Sequence, residues 1–351
     1  MTGRILVVGA GAVGSFLGGT LAAAGDEVAI LRRGREPAAT RGALVLVGPR
    51  SERREVEVLW VASAGSVPWS PELIVLAVKL YDLPAAVDAV AAWPSAPILT
   101  VQNGIGAEEE VAARRPAAGL LAGSLTTAVE LGTGDQVFRH RRGGIGIAPV
   151  RGDVTAVLAE AVRAFAAGGL PAREYRDAGA MKWSKLLGNL VGNATSAILD
   201  LEPAVIYADA RLFAIERRQL LEALAVMDAL GLRPLALPGL DARLLALGFR
   251  LPEPLGRLAL GPIVRAGRGG KMPSLLLQLR TRPSERRTEV AWLNGAVARA
   301  GEQTGVPTPV NRALAALVEE TAGDPDRRAW FRGRPDRLLA MIPPAGPPGR
   351  S

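Results

Sequence analysis

Lys185 lies in the stretch MKWSKLLGNLVGN (Met181–Asn193), with two amides, Asn189 and Asn193, and two glycines, Gly188 and Gly192, close behind it. On a helical wheel turning about 100° per residue, with Lys185 at zero, Asn189 and Asn193 fall at about 40° and 80°. The glycines fall just to the other side, and Trp183, Leu186, Leu187, Leu190, Val191 and Ala194 take the opposite arc. One face is core, and the other carries a cation, two amides and two positions without bulk. A solvated stripe is the plainer alternative. Asn and Gly lower helix stability, however, Gly by about 1 kcal/mol relative to Ala, and Glu, Lys, Arg or Gln would serve a solvated face better. A face shaped to take a small polar molecule explains the choice of residues. An ammonium there can stabilise negative charge developing on an oxygen and then protonate it.

A second group of residues supplies a partner for that chemistry. GAGAVG places Gly9, Gly11 and Gly14 in the G-x-G-x-x-G spacing, directly after the apolar run RILVV and at the start of a helical pattern. In that context the spacing marks a dinucleotide site, where a bare glycine loop would mean little. Gly9 permits the tight turn, Gly11 lets backbone amides approach a pyrophosphate, and Gly14 lets helix and strand pack closely. The helix N-terminus adds favourable potential for an anion. The next strand ends VAILRRGRE, so Arg32 and Arg33 stand where an acidic residue would otherwise hold ribose hydroxyls. Guanidinium groups there suit a 2′-phosphate, which favours NADP over NAD. Either arginine could instead lay its stem on the surface, and the two are not ranked. Lys79, closing LIVLAVK, and the QNG of Gln102–Gly104, closing PILTVQNG, fall at carboxyl ends of apolar runs. In open parallel sheets those ends form the ligand crevice, although both are equally ordinary turn residues.

The elements that must hold these residues follow from the apolar pattern. RILVVGA, DEVAILRR, LIVLAVK and PILTVQNG read as buried strands alternating with helices over 14–25, 82–92 and 107–114, and AAGLLAGSLTTAVEL through GGIGIAP supplies the last strands. Such alternation argues for parallel strands joined by helices. From about Asp177 helical patterns dominate, over 181–198, 208–230, 285–304 and near 310–320. The passage LPEPLGRLALGPIVRAGRGGKMPS interrupts them and reads as partly loop. The expected architecture is a Rossmann-type doubly wound parallel sheet over 1–176, an all-helical domain over 177–322 with a cleft between them, and a poorly ordered Pro-, Arg- and Gly-rich tail over 323–351.

Composition excludes several chemistries. The 351 residues contain no cysteine and one histidine, His140, within a basic run. Disulfides, thiolate catalysis, Ser–His catalysis and multi-histidine metal sites fall away together, and no metal is expected. The net charge of +8 favours anionic partners. Aromatic residues are only 4% of the chain, too sparse among the arginines for the stacking that nucleic-acid binding uses. No apolar run reaches the ~20 residues needed to span a bilayer, and the opening stretch lacks a signal-peptide cleavage site, so a cytoplasmic protein is expected. The expected assembly is a homodimer through the helical domain.

In order along the chain, these motifs resemble those of the ketopantoate reductases (2-dehydropantoate 2-reductases). The likeness runs from the N-terminus to about residue 320. It is carried by GAGAVG, Val78–Lys79, QNGIG at Gln102–Gly106, WSKLLGNLVGN, KMPS at Lys271–Ser274, RRTEVAWLNG at Arg286–Gly295 and GVPTPVN at Gly305–Asn311. The resemblance implies NADPH-dependent reduction of 2-dehydropantoate to (R)-pantoate, a step towards pantothenate and coenzyme A. It assigns Lys185 as the proton donor, and Asn103 as a contact to both nicotinamide ribose and substrate. Asn189, Asn193 and Ser274 match substrate-binding positions, and Glu289 an acidic residue near cofactor and lysine. Gly9, Ala10, Gly11, Ala12, Val13, Gly14, Arg32, Arg33, Lys79 and Ala128 fall on the cofactor side. Three positions depart from the family pattern: Leu279 and Ala291, where acidic residues are usual, and Pro203 or a neighbour, where some members carry asparagine. They keep another branched or polar 2-oxo acid open as the substrate. A non-catalytic NADP(H)-binding sensor is a third reading, disfavoured because binding alone does not demand Lys185, Asn189, Asn193, Ser274 and Glu289 together.

Overall fold

The apolar run at Arg4–Val8 forms a strand buried at its last four positions, as a strand covered on both faces must be. The structure, a computed structural model, describes residues 3–32, 34, 38–140, 143–268, 272–282 and 284–344. The chain order begins β1 (Arg4–Val8), α1 (Ala12–Ala23), β2 (Glu27–Leu31), β3 (Ala39–Val47), β4 (Arg53–Val61), β5 (Leu73–Leu76), α2 (Leu83–Ala89), β6 (Ile98–Thr100) and α3 (Ala107–Arg114). It continues with β7 (Leu120–Leu125), β8 (Val129–Leu131), β9 (Gln136–Arg139), β10 (Ile145–Arg151), α4 (Thr155–Ala167), β11 (Ala172–Glu174) and α5 (Ala178–Leu190). Then come α6 (Ala194–Leu199), α7 (Pro203–Ala208), α8 (Ala210–Ala229), the short hairpin β12 (Ala236–Leu237) and β13 (Leu240–Asp241), and α9 (Ala242–Arg250). The chain closes with α10 (Glu253–Arg268), α11 (Ser274–Thr281), α12 (Asn294–Thr304), α13 (Pro309–Thr321), α14 (Pro325–Phe331) and α15 (Pro335–Met341).

The chain divides into two compact units, Met1–Lys185 with Leu235–Asp241, and Leu186–Pro234 with Ala242–Ser351. The first holds a sheet in the order β11-β10-β7-β6-β5-β1-β2-β4-β3-β9-β8. Its centre, β4-β2-β1-β5-β6-β7, is parallel throughout. That is the doubly wound order, in which the direction of winding reverses beside β1. The edges differ from the expected all-parallel sheet: β3 runs antiparallel to β4, β8 to β9 and β10 to β7. The long β3–β4 ladder, Ala39↔Val61 to Val47↔Arg53, was not anticipated: each strand has a short apolar run at one end only, ALVLV and VLWV, and exposed Arg, Glu or Thr at the other. Val7, Ile30, Val75 and Leu99 of the sheet pack with Leu17 and Leu21 of α1 and Phe165 of α4. Each such side chain contributes about 1.5–3 kcal/mol on burial.

Among the described residues the second unit contains helices and no strand. Three expectations change here. The helix anticipated over 181–198 breaks at Gly192, whose φ of 59° ends α5 and turns the chain into α6. The passage read as partly loop is largely α10. Pro254 sits in the first turn of α10, where its missing N–H is harmless, and Leu260 and Val264, one turn apart, are buried. Within the tail read as poorly ordered, Pro325–Phe331 and Pro335–Met341 form α14 and α15 instead. Pro325 and Pro335 open these helices, and Phe331 and Leu338 are fully buried. Residues 345–351 lie outside the described residues.

Candidate active site

In the first unit the glycine loop follows β1 where the strand order reverses. Gly9 has φ 112°, and a Cβ there would meet the Ala77 carbonyl oxygen at 3.0 Å. At Gly14 a Cβ would stand 1.8 Å from the Gly9 oxygen, so α1 and the end of β1 approach as closely as they do only because Gly14 lacks a side chain. Gly11 is different: a Cβ there would meet no protein atom within 4 Å. The protein's own packing does not require glycine at Gly11, whereas a pyrophosphate seated on the loop does. Gly11 is also the N-cap of α1 and makes no side-chain cap, so the first amides of the helix keep their potential for an anion. Ala10, Ala12 and Val13 are half-buried and pack against the sheet core. The loop therefore fits a dinucleotide.

The carboxyl ends of β1, β5, β6 and β7 lie along one edge of the sheet. That edge collects Gly9, the exposed Lys79, Asn103 and Ala128. Lys79 falls three residues beyond β5, which stops at Leu76. Beside Ala128, the Thr127 hydroxyl is buried without a hydrogen-bond partner among the described residues. Arg32, just past β2, stacks over Trp60, 3.8 Å from guanidinium carbon to ring centroid, and its Nη2 lies 2.6 Å from the Asp135 carboxylate. It is thus both packed and paired with an acid 103 residues away. Arg33 lies outside the described residues.

The helix carrying Lys185 starts where the Asp177 carboxylate accepts the Ala180 N–H at 2.8 Å, an N-cap interaction. Met181 packs with Ala122, Ala148, Tyr175 and Leu237, and the Ser184 hydroxyl accepts from the Leu235 N–H at 2.8 Å, fastening the β12–β13 hairpin. From Ala180 to Leu190 the helix is buried except at Lys185, Gly188 and Asn189, which are half-buried. The stripe drawn on the wheel is real at these three positions. Lys182 was not anticipated: it is 5% exposed, and its Nζ lies 2.8 Å from the Gln102 carbonyl and 3.1 Å from Glu108 Oε1. Glu108 sits in the acidic run EEE, and nothing in such a run distinguishes a buried carboxylate from its solvated neighbours. Lys182 did leave a signal, since it falls at about 60° on the same wheel, beside Asn189.

In the second unit, Asn193 is not on the α5 stripe. It is the N-cap residue of α6, 3% exposed, because the turn at Gly192 carries it off the helix. Its Nδ2 donates to Ser274 Oγ at 3.3 Å, and its Oδ1 accepts the Leu275 N–H at 3.1 Å. The structure thus joins two of the expected substrate residues and makes Asn193 the support of exposed Ser274 at the start of α11. The Gly192 turn is held by the fully buried Glu216, which accepts from Gly192 N–H and the Thr195 hydroxyl, each at 2.6 Å, and from the Tyr207 hydroxyl at 3.2 Å. Pro203 packs over the turn: a Cβ on Gly192 would come within 3.2 Å of its ring. Glu289 is buried, 4% exposed, in a short 3-10 turn that follows the Thr288 cap. Glu222 holds the start of α13 through Val310 and Asn311; burial raises its pKa above the ordinary 4.5, against the lowering effect of those amides.

A cavity of about 240 Å³ in this unit is walled by Ile198, Leu276, Leu279, Arg280, Arg328 and Arg332, among others. None of Asn189, Asn193, Ser274 and Glu289 lines it, so its size does not make it the reaction site. Leu279, one of the departures from the family pattern, is a buried wall of this cavity. Among the described residues no cluster of His, Cys, Asp or Glu could hold a metal ion. His140 is exposed and contacts Glu130 at 2.7 Å.

Six parallel strands with a glycine loop at the reversal, followed by a helical unit, define a Rossmann-type doubly wound α/β protein. The family model of ketopantoate reductase PanE/ApbA matches residues 5–152, and that of the ketopantoate reductase PanE/ApbA C terminal matches 177–322. The chain belongs to the ketopantoate reductase family of oxidoreductases, as its motifs suggested. It is 30% identical over 321 residues to a 2-dehydropantoate 2-reductase of Halobacterium salinarum, covering 90% of this chain and 97% of that one. The crystal structure of a PanE/ApbA family ketopantoate reductase from Ralstonia eutropha aligns with a TM-score of 0.73 at 27% identity, over 93% of this chain and 99% of that one. A D-mandelate dehydrogenase solved with NADH and anilino(oxo)acetate aligns with a TM-score of 0.72 at 20% identity, over 93% and 99%, which establishes a shared fold.

Proposed function

We propose that this protein reduces 2-dehydropantoate to (R)-pantoate with NADPH, Lys185 acting as general acid. The observation that carries the reading is the half-buried stripe of Lys185 and Asn189, one turn apart on an otherwise buried helix, in a chain that matches the family across both its parts. A reduced nicotinamide, when bound, supplies the hydride to the ketone carbon. Gly9, Ala10, Gly11, Ala12, Val13 and Gly14 hold the pyrophosphate, with Lys79, Asn103, Ala128 and Glu289 on the cofactor side. Arg32 and Arg33 favour the 2′-phosphate. As negative charge develops on the ketone oxygen, the Lys185 ammonium stabilises it and transfers a proton from Nζ. Asn103, Asn189 and Ser274 bind and orient the substrate, and Asn193 serves the same end by holding Ser274 in place; amides and a hydroxyl can hold the substrate's hydroxyl and carboxylate without adding net charge.

The product would feed pantothenate and coenzyme A synthesis, and a cytoplasmic location accompanies this reading. Among the described residues no helix is long and apolar enough to cross a membrane. Exposed Leu244, Leu247, Leu255 and Leu258 on α9 and α10 support a homodimer through the helical unit. The test is oxidation of NADPH against a panel of 2-oxo acids. The expected result is turnover of 2-dehydropantoate by the wild type, and a kcat about 10²–10⁴-fold lower in Lys185→Ala with NADPH binding kept. Turnover of a different 2-oxo acid alone would replace the substrate, and NADPH binding without turnover of any would select the sensor reading.

A further inference from the structure

We propose that Lys182 and Glu108 form a buried positioning pair that locks the Gln102–Asn103 loop to the helix bearing Lys185. Lys182 precedes Lys185 by three residues, and all the groups it engages belong to the same compact unit. Its ammonium ties α5 to two other places: the Gln102 carbonyl, 2.8 Å away in the loop after β6, and Glu108 in the first turn of α3, 3.1 Å away. Glu108 also accepts the Thr100 hydroxyl at 2.6 Å, so the carboxylate grips the end of β6 as well. The Gln102 side chain fastens the same loop from the other side. Its Nε2 donates to the Leu76 and Val78 carbonyls at 2.8 and 3.2 Å, and its Oε1 accepts the Val101 N–H at 3.1 Å. The loop that presents Asn103 is therefore held through both the side chain and the carbonyl of Gln102, and the same bonds reach the residue before Lys79.

A charge this deeply buried has few places to go. Leaving water costs an ammonium heavily unless a counter-charge and hydrogen bonds replace the lost solvation. Charge-assisted bonds to a carboxylate and a carbonyl are the stronger kind. Methionine at Lys182 would satisfy packing and a solvated lysine would satisfy helix propensity, but neither would hold the Gln102 carbonyl. Lys182 and Lys185 lie about 60° apart around one helix, so a rotation of α5 that released the first would displace the second. The pair acts through Asn103 and Lys185 and rests on the proposed reading that those residues serve cofactor and ketone.

The test uses the full chain with Lys182→Met, Glu108→Gln and the double variant. Three quantities are read: NADPH affinity from protein fluorescence, amide hydrogen exchange across Gln102–Gly106 with α4 as reference, and turnover. We expect Lys182→Met to raise the NADPH Kd about tenfold and to speed loop exchange by a similar factor, with α4 unchanged. Glu108→Gln should move both in the same direction by about threefold, and the double variant should be no worse than Lys182→Met, because coupled partners are not additive. Wild-type affinity and loop exchange in folded Lys182→Met, or additive losses in the double variant, overturns the proposal. Should Lys182→Met fail to fold, Glu108→Gln decides alone, and unchanged values there overturn it. If wild type fails to reduce 2-dehydropantoate while the variants still loosen the loop and weaken NADPH, the functional reading falls and the positioning pair stands. Normal turnover with unmoved affinity and exchange does the reverse.

Discussion

Arg32 is a cation that already has a carboxylate at hand. Its guanidinium lies flat over Trp60 and meets Asp135 at 2.6 Å, with 18% of the side chain exposed. The stack fixes the plane of the guanidinium, while the carboxylate competes with any phosphate for its N–H donors. Replacing Asp135 by Asn should leave the stack and relieve the competition. The expected outcome is an NADPH Kd lowered by about threefold to tenfold, as for a partly exposed charge pair, with the NADH Kd unchanged. Titration of both nucleotides into the variant checks it, and parallel shifts would remove Arg32 from phosphate recognition. The arginine itself was legible at the end of an apolar run; Asp135 was not, because only the pairing of β3 with β9 brings it near. The two lysines of α5 differ in the same way. A wheel singled out Lys185 by its neighbours along the helix, whereas Lys182 owes its role to Glu108, 74 residues earlier.

The break between α5 and α6 sets the substrate side of the proposed chemistry at the level of elements. A continuous helix would have put Asn193 on the stripe with Lys185. With Gly192 at φ 59° the amide turns inward instead and supports Ser274 and α11. Gly192→Ala places a Cβ in a left-handed conformation and 3.2 Å from Pro203. A loss of about 1–2 kcal/mol is expected for the conformation alone. Urea unfolding measures it, and the same variant should raise KM for the oxo acid more than KM for NADPH, since the strain falls beside Asn193. Periodicity found α1, β1, β2, α3, α8 and α13 because each has a buried face written in its own residues. It missed β3 and β4, whose exposed faces carry charge, and it misread α10, whose proline and glycine content suggested a loop.

At the scale of the molecule, α14 and α15 belong to the folded body of the helical unit. α14 packs on α6 and α13 and α15 on α6 and α8, with the Gly333 N–H on the Leu199 carbonyl at 2.8 Å. Phe331→Ala should cost about 3–5 kcal/mol, the range for a large aromatic removed from a packed site, and chemical denaturation of the purified variant will show it. A change below about 1 kcal/mol would mean that α14 lies on the unit without contributing to its core.

The linear order of residues was sufficient for the class of fold, the nucleotide loop, the ketopantoate reductase family and the half-buried stripe at Lys185 and Asn189. These depend on spacings of a few residues, over which a strand or helix has a fixed period. Tertiary structure alone decided that Asp135 meets Arg32, that Glu108 and Lys182 share a buried charge, that Glu216 holds the Gly192 turn, and that Asn193 supports Ser274. In each case the partners lie 24 to 103 residues apart. No local pattern encodes such a meeting, and the free energy of burying a polar group with its partner exists only once the chain has closed around both.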